Sequence, residues 1–247
     1  MSQWFEDESF WIDMYPFLFP RKRMEEADFE IEKLLNLIEF KGDSVLDLCC
    51  GPGRHAISLA KRGFSVTAVD RTSFFLEKGR QRAKSEKLDI EFVLQDMLSF
   101  KRPESFDLAL NLWTSFGFFD RKEDDLIVLD NIYQSLKSGG VCLIDLFGKE
   151  TLAEDFQPTT SDELADGTIL VQRHKIFDNW TRIRNEWILI KNGIAKSYTF
   201  HHTLYSGQEL MDRLERVGFT DIRLFGDYEG TEYGPDARRL IAAARKE

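Results

Sequence analysis

The stretch VLDLCCGPGRHA, residues 45–56, joins a short apolar run to a glycine-containing turn and the first residues of a helix. Gly51 and Gly53 permit a tight turn, and they let a ligand approach both the backbone and the helix N-terminus. The spacing Gly-x-Gly-x-x-Ala also fits a dinucleotide-binding turn, although that pattern alone is a weak signal. The stretch therefore predicts a strand, a turn and a helix with a ligand bound at the turn.

Strand and helix patterns alternate on both sides of this turn. Such alternation predicts a parallel sheet that is covered by helices on both faces. The first expected helix carries acidic residues near its start, as the helix dipole favours. The expected strands are 44–48, 65–69, 90–94, 106–112 and 141–146, and the expected helices are 24–40, 53–62, 73–87 and 122–137.

The alternation is interrupted after residue 150 by three runs that are typical of β-strands. Asn192-Gly193 lies between the last two runs and predicts a hairpin, because these residues tolerate the positive φ of a two-residue turn. We therefore expect an antiparallel insertion within the α/β order. The β-type runs are 168–177, 182–191 and 195–204, and the resumed elements are a helix at 207–217 and strands at 220–225 and 238–244.

Polar side chains end the first strands of the expected sheet. The Asp47 carboxylate can accept hydrogen bonds from an ammonium group, and Asp70 can accept from both hydroxyls of a ribose. Asp96 can accept from an exocyclic amino group, while the backbone N–H of Met97 meets a ring nitrogen. The carboxyl ends of parallel strands share one edge, where doubly wound sheets bind ligands. The implied ligand has an amino-acid end, a ribose and an adenine, which describes S-adenosylmethionine (SAM).

These motifs resemble the class I SAM-dependent methyltransferase family over residues 24–147 and 207–245. The resemblance rests on VLDLCCGPGRH, VTAVD, LQDM, FDLALNLWTSFGFF and LKSGGVCLID. It implies an α/β, Rossmann-like, doubly wound sheet of seven strands in the order 3-2-1-4-5-7-6, with the last strand antiparallel. The antiparallel β insertion expected from the residues after 150 then lies after strand 5. One departure is Cys49, where the family often has the first glycine of the turn.

The resemblance also implies which residues bind the cofactor SAM, whose product is S-adenosylhomocysteine. Asp47, Gly51 and Gly53 would hold its methionine part. The full expected set is Asp47, Gly51, Gly53, Asp70, Arg71, Asp96, Met97, Asn111 and Leu112, together with Tyr15 from the N-terminal segment. Cys49 and Cys50 are expected to be small buried packing residues rather than nucleophiles.

Three regions are expected on this basis. The first twenty residues hold 7 of the 32 aromatic residues, more than the next helix can bury. Residues 1–23 are therefore expected to form an aromatic lid, and 24–149 with 206–247 to form the SAM-binding core. Residues 150–205 are expected to form an antiparallel β subdomain that covers the acceptor site.

The methyl acceptor is expected to contact residues that follow the fourth strand and end the insertion, namely Trp113, Phe116 and Tyr205. Weak candidates for a catalytic role are His201, His202 and Tyr205, and the sequence pattern does not indicate a general base. Strand alternation sends His201 and His202 to opposite faces, so only one of them can face the site. Methyl transfer needs a base only when the acceptor carries a proton.

The composition limits the partners. Net charge is −10, from 33 Lys plus Arg and 43 Asp plus Glu, which disfavours nucleic acid and anionic membranes. No apolar run reaches the roughly 18 residues that a membrane span needs. Three cysteines and four histidines provide neither a disulfide framework nor zinc-ligand spacing, so we expect a cytoplasmic protein without a metal. We expect a monomer or homodimer that acts on a small molecule.

The favoured function is methyl transfer from SAM to nitrogen or oxygen of a small-molecule acceptor. Three alternatives stay open at this point. An RNA methyltransferase is disfavoured by the charge, and an NAD-dependent oxidoreductase is favoured only by the Gly-x-Gly-x-x-Ala pattern. A SAM-binding protein without turnover would share every motif named above.

Overall fold

Two β-sheets organise residues 3–247, the part of the chain that the computed structural model describes. The larger sheet has seven strands and the smaller has four. The strands of the larger sheet are β1 (Ser44–Leu48), β2 (Ser65–Asp70), β3 (Ile90–Leu94), β4 (Phe106–Asn111), β5 (Leu136–Leu146), β10 (Thr220–Phe225) and β11 (Leu240–Arg245). Those of the smaller sheet are β6 (Thr159–Glu163), β7 (Ile169–Phe177), β8 (Arg182–Lys191) and β9 (Ile194–Thr203).

Seven helices connect or cover these strands. A short 3-10 turn at Trp4–Glu6 precedes the first of them. The helices are α1 (Glu8–Leu18), α2 (Arg21–Asn36), α3 (Arg54–Lys61), α4 (Ser73–Glu86), α5 (Lys122–Ser135), α6 (Lys149–Glu154) and α7 (Gly207–Val217). None of the helices in the described part of the chain combines the length and the apolar character needed to cross a bilayer.

The larger sheet has the order β10-β11-β5-β4-β1-β2-β3. β1 to β5 run parallel, and β11 is antiparallel to its neighbours β5 and β10. Counting only the strands of this sheet, the order is 3-2-1-4-5-7-6, which confirms the expected topology. β4 is buried along its whole length, because helices cover both faces at the centre of the sheet.

The smaller sheet is a meander of four antiparallel strands inserted between β5 and α7. Asn192 and Gly193 both have positive φ, and they join β8 to β9 as the hairpin pattern predicts. β6 was not expected, because TTSDE lacks the apolar alternation of a half-buried strand. The α/β order resumes at α7, where Ser206 and Glu209 form a capping box and Gly218 ends the helix.

The N-terminal residues pack against both sheets. Phe10 and Met14 of α1 form a small core with Leu170 and Phe200 of the four-stranded sheet. Phe5 belongs instead to the main core beside the seven-stranded sheet. The segment expected as a lid thus supplies buried core residues, and its last three residues, 21–23, are the first turn of α2.

Candidate active site

The turn after β1 is held by the acid that ends β2. The backbone N–H of Gly51 donates to the Asp70 carboxylate at 2.8 Å, and Thr72 N–H donates to its other oxygen at the same distance. Cys49, Gly51 and Gly53 all adopt positive φ, at 63°, 54° and 72°. Cys49 thus takes the left-handed conformation that glycine adopts more readily. The turn therefore forms with Cys49 at the position where the family often has glycine.

A cavity of about 970 Å³ lies at this edge of the sheet. Part of its lining comes from the ends of β1, β2, β3 and β4 and from the turns and helices that follow them, and the rest mainly from the N-terminal segment, the four-stranded sheet and residues 152–157 before that sheet. We call the first part the cofactor half and the remainder the acceptor half. The expected residues that line the cofactor half are Asp47, Gly51, Asp70, Arg71, Asp96, Met97 and Leu112, and Trp113 adjoins them.

Asp47 and Arg54 leave polar atoms unsatisfied beside the cavity. Asp47 is buried, and one of its carboxylate oxygens has no hydrogen-bond partner. Burial raises the pKa of Asp47 to about 7, against the opposing charge of Arg54. Arg54 pairs with Glu30 at 2.8 Å, but its other terminal nitrogen is buried without a partner. Since buried polar groups are normally hydrogen-bonded, this pair fits a ligand that carries both an ammonium and a carboxylate.

The Asp96 carboxylate already has a hydrogen-bond partner and an ion-pair partner within the protein. It accepts from the backbone N–H of Leu98 at 2.8 Å and lies 3.3 Å from Nε of Arg71. Arg71 also reaches Glu6 at 3.4 Å and lies over the ring of Phe5. Arg71 therefore links the cofactor half to the N-terminal segment.

One face of the four-stranded sheet lines the acceptor half. Alternate residues of β7, β8 and β9 point into the cavity, as the two-residue period of a strand requires. Aromatic rings from the N-terminal segment lie opposite. The lining residues on the sheet include Gln172, His174, Asn185, Trp187, Phe200 and His202, and those on the N-terminal segment include Trp4, Phe10 and Trp11.

Three polar side chains on this face form a chain of hydrogen bonds. Nδ1 of His174 lies 2.6 Å from Oδ1 of Asn185, and Nδ2 of Asn185 lies 3.3 Å from Nδ1 of His202. Burial lowers the pKa of His202 to about 4, and the nearby charges of His174 and Arg182 act in the same direction. His202 is therefore neutral at pH 7.

The comparisons with known proteins agree with this geometry. The sequence pattern of a methyltransferase domain matches residues 45–140. The putative methyltransferase YqeM of Bacillus subtilis (strain 168) is 28% identical, over 82% of this chain and 83% of its own length. The glycine/sarcosine N-methyltransferase of Aphanothece halophytica is 26% identical, over 90% of this chain and 82% of its own.

A solved structure extends the comparison to the whole fold. The S-adenosylmethionine-dependent methyltransferase from Clostridium acetobutylicum ATCC 824 superimposes with a TM-score of 0.77. The superposition covers 98% of each chain at 17% identity. The chain is a methyltransferase with the fold of the SAM-dependent enzymes. Its cofactor is S-adenosylmethionine, and the interpretation as a nicotinamide-dependent oxidoreductase is superseded.

Several expected cofactor residues of this methyltransferase do not line the cavity. Gly53 lies in the turn, where an added Cβ would meet the Phe92 ring at 3.0 Å. Asn111 is fully buried and donates from its amide to the carbonyl oxygen of Leu48 at 3.3 Å. The Tyr15 ring packs on Phe19, Phe74 and Phe75. Tyr15 points elsewhere because this face of α1 covers α4.

Three residues expected near the acceptor are also placed elsewhere. Tyr205 is fully buried, its hydroxyl donates to Asp125, and its ring packs on Phe116 with centroids 5.3 Å apart. Both therefore belong to the main core of the methyltransferase. His201 packs on the Phe177 ring on the other face of β9. Of the histidines at the end of the insertion, only His202 lines the cavity.

Trp113 is held in an unusual position at the centre of the site. Trp113 and Thr114 follow β4 with φ near +60°, an outlier for a bulky and a β-branched residue. Asp145 accepts from the backbone N–H of Trp113 at 3.1 Å, and its carbonyl accepts from that of Thr114 at 2.9 Å. The guanidinium groups of Arg23 and Arg54 lie 4.5 and 4.6 Å from the Trp113 ring.

Sequence reasoning missed much of this surrounding network. Glu30 is buried on α2 and contacts Arg54, His55 and the indole N–H of Trp113. In the sequence Glu30 is one of many acids on a charged helix, so nothing distinguishes it. The sequence pattern does not single out His174 or Asn185, because polar residues on an exposed strand show the same alternation.

Proposed function

We propose that this methyltransferase transfers the methyl group of SAM to a small molecule, with an amine nitrogen as the favoured nucleophile. One observation carries the proposal. A single cavity joins the cofactor half, at the ends of the core strands, to the acceptor half under the four-stranded sheet. Two molecules that bind these halves would meet inside the protein, near Trp113.

The size and walls of the cavity favour a small acceptor. Its volume of about 970 Å³ has to contain both cofactor and acceptor. Small-molecule sites commonly occupy about 300–1,000 Å³. Trp4, Phe10 and Trp11 line the cavity opposite the sheet, so the acceptor half is bounded on two sides. A folded polymer would have to displace this N-terminal segment.

Charge is divided unevenly along the cavity, and the division favours an amine. In the cofactor half, Arg54 and Arg71 are accompanied by the carboxylates Asp47, Asp70 and Asp96. The rest of the lining has the exposed carboxylates Asp155, Asp162 and Glu163, with Arg23 as its one Arg or Lys among the described residues. Carboxylates attract an ammonium ion and repel a phosphate. The glycine/sarcosine N-methyltransferase among the relatives, by its name, also acts on an amine.

The reaction depends mainly on alignment of the acceptor with the methyl group and on exclusion of water, and it requires few catalytic groups. Bound SAM supplies an electrophilic methyl group and a neutral thioether leaving group. The protein has to place the acceptor in line behind the methyl carbon, which can lower the barrier by up to roughly 7–11 kcal/mol. Aromatic side chains such as Trp4 and Trp187 exclude water from this half.

A panel of possible acceptors tests the proposal. Purified protein would be incubated with SAM and separate pools of amines, amino acids, amino sugars, alcohols and RNA, and S-adenosylhomocysteine would be measured. We expect product with an amine-containing pool, and the same reaction with Asp70→Asn should require a higher SAM concentration. Product formed with RNA alone would overturn the proposal, and product confined to alcohols would replace nitrogen by oxygen.

A further inference from the structure

His174, Asn185 and His202 occupy three adjacent strands on the inward face of the four-stranded sheet. His174 and Asn185 face each other directly in the β7–β8 ladder, and His202 is diagonal to Asn185 on β9. All three line the acceptor half. One amide therefore joins two imidazoles, and each imidazole also borders the cavity.

The two ends of the Asn185 amide impose different protonation on the two rings. The amide oxygen only accepts, so His174 must carry its proton on Nδ1 to donate at 2.6 Å. The amide nitrogen only donates, so His202 must accept through an unprotonated Nδ1 at 3.3 Å. In neutral rings, Nε2 of His174 then bears the lone pair and Nε2 of His202 bears the proton.

We propose that Asn185 fixes His174 and His202 in opposite tautomers, so that His174 takes the proton of the acceptor while His202 donates a hydrogen bond to an oxygen of the same acceptor. This inference rests on the proposed function. It narrows the substrate class to an amine or hydroxyl whose carbon skeleton also carries a nearby oxygen, such as an amino acid or an amino alcohol. His174 is the catalytic residue, and Asn185 is a positioning residue.

The step balances without any further reactant. The lone pair of the acceptor nitrogen or oxygen forms a bond to the methyl carbon, and the bond from that carbon to sulfur breaks with its electron pair remaining on sulfur. The proton displaced from the acceptor passes to Nε2 of His174. The resulting imidazolium then loses this proton to water when the cavity opens. An ammonium acceptor first loses one proton to solvent, so that Nε2 of His174 is free to take the proton displaced on methylation.

Charged side chains lie near the imidazole rings of both His174 and His202. A neutral His202 agrees with the direction in which burial and the charge of Arg182 move its pKa. Arg182 is itself paired with Asp120 at 3.0 Å, and Arg173 with Glu186 at the same distance. The charged and titratable groups on the strands around the two rings are Asp162, Glu163, Arg173, Lys175, Arg182, Arg184, Glu186 and His201.

The tautomers can be observed without knowing the acceptor. The chain has only four histidines, so long-range proton–nitrogen NMR spectra of protein labelled with ¹⁵N-histidine will contain four imidazoles. Single His→Gln variants assign them. We expect the Nδ1–H form for His174 and the Nε2–H form for His202. Finding both rings in the same tautomer would overturn the proposal.

Substitution of Asn185 provides the second readout. Asn185→Asp replaces the donor that faces His202 by an acceptor, which should protonate its Nδ1 and raise the pKa of His202. Asn185→Leu removes both hydrogen bonds, so each ring should become a mixture of tautomers. Unchanged histidine signals in a folded Asn185→Leu variant would show that the amide does not set the tautomers.

Activity with an acceptor from the panel separates this inference from the proposed function. His174→Gln should lower kcat by roughly 10²–10⁴-fold and remove the acidic limb of its pH profile, while the Kd for SAM is unchanged. His201→Gln, on the opposite face, is the matched control and should retain full turnover. A His174→Gln enzyme with wild-type kcat and pH profile would contradict this inference without contradicting the proposed function. Turnover of RNA alone would contradict both.

Discussion

The two halves of the cavity are built in different ways. The cofactor half comes from residues at the ends of consecutive strands, and Asp70 at the end of β2 holds the turn after β1. The acceptor half comes from alternate residues of an inserted sheet and from aromatic rings of the N-terminal segment. One half is therefore stabilised by hydrogen bonds from backbone N–H groups to a carboxylate at a strand end, and the other by side-chain packing between distant parts of the chain.

Because the two halves are stabilised differently, each should be sensitive to a different kind of substitution. Loss of a packing residue on α1 should damage the acceptor half and spare the cofactor half. Loss of the carboxylate that ends β2 should do the reverse. Four substitutions test this division.

The largest effect is expected for Phe10→Ala. Phe10 is 3% exposed and contacts the rings of Trp187, Tyr198 and Phe200 on the four-stranded sheet. Truncation of a buried phenylalanine typically costs about 3–5 kcal/mol. Chemical denaturation should show this loss, while Phe29→Ala, at a ring that is 54% exposed, should change the free energy of unfolding by less than about 0.5 kcal/mol. A drop in SAM affinity of the folded Phe10→Ala protein as large as for Asp70→Ala would contradict the division.

A pH-dependent effect is expected next, at His202. Its pKa is about 4 in the folded protein and about 6.5 when unfolded, so the unfolded chain binds more protons between these values. His202 therefore adds to the increase in stability as pH rises from 4 to 6.5, by up to roughly 3 kcal/mol. Denaturation at several pH values should show a flatter increase for His202→Gln, and a smaller change for His201→Gln. Identical slopes in wild type and His202→Gln would show that folding does not lower the pKa of His202.

Asp70→Ala tests the cofactor half. The substitution removes a carboxylate proposed to accept from the ribose hydroxyls and known to hold Gly51 and Thr72. SAM affinity should fall by about 1–3 kcal/mol in calorimetry, as expected for loss of hydrogen bonds to a charged group. Asp89→Ala, at an exposed acid before β3, is the control and should bind normally. Unchanged affinity in the folded variant would remove Asp70 from the binding site.

The smallest effect is expected at the tip of the β8–β9 hairpin. Gly193 has φ of 76° with no atom near an added Cβ, so Gly193→Ala suffers backbone strain but no clash. We expect a loss of about 1 kcal/mol in the free energy of unfolding, with SAM affinity unchanged. Gly234→Ala, at a glycine without positive φ, should be close to neutral. A hairpin substitution that altered cofactor binding would show that the two halves are coupled.

The fold was largely predictable, because its signals are local. Apolar strands and glycine turns alternate along the chain, and Asn192-Gly193 marks a hairpin through its backbone preferences. The acids at the strand ends were predictable for the same reason. Met97, Leu112 and Trp113, which the sequence also singled out, line the same cavity.

The acceptor half was less predictable, because its contacts join residues far apart in sequence. Tyr205 follows a strand that lines the cavity, yet its hydroxyl lies against Asp125 on α5, some eighty positions earlier. Asn185 and His174 carry no pattern that separates an inward polar residue from an outward one. Only the strand register shows that they are opposite each other.

The alternation of β7, β8 and β9 has a practical consequence for changing acceptor preference. The inward positions 170, 172, 174, 183, 185, 187, 200 and 202 all line the cavity, and their outward neighbours do not. They lie within 33 consecutive residues, whereas the lining residues at the ends of β1 to β4 precede position 120. A single synthetic gene segment that varies only these codons would diversify one wall of the cavity while every genotype in the library keeps the parental sequence at the other.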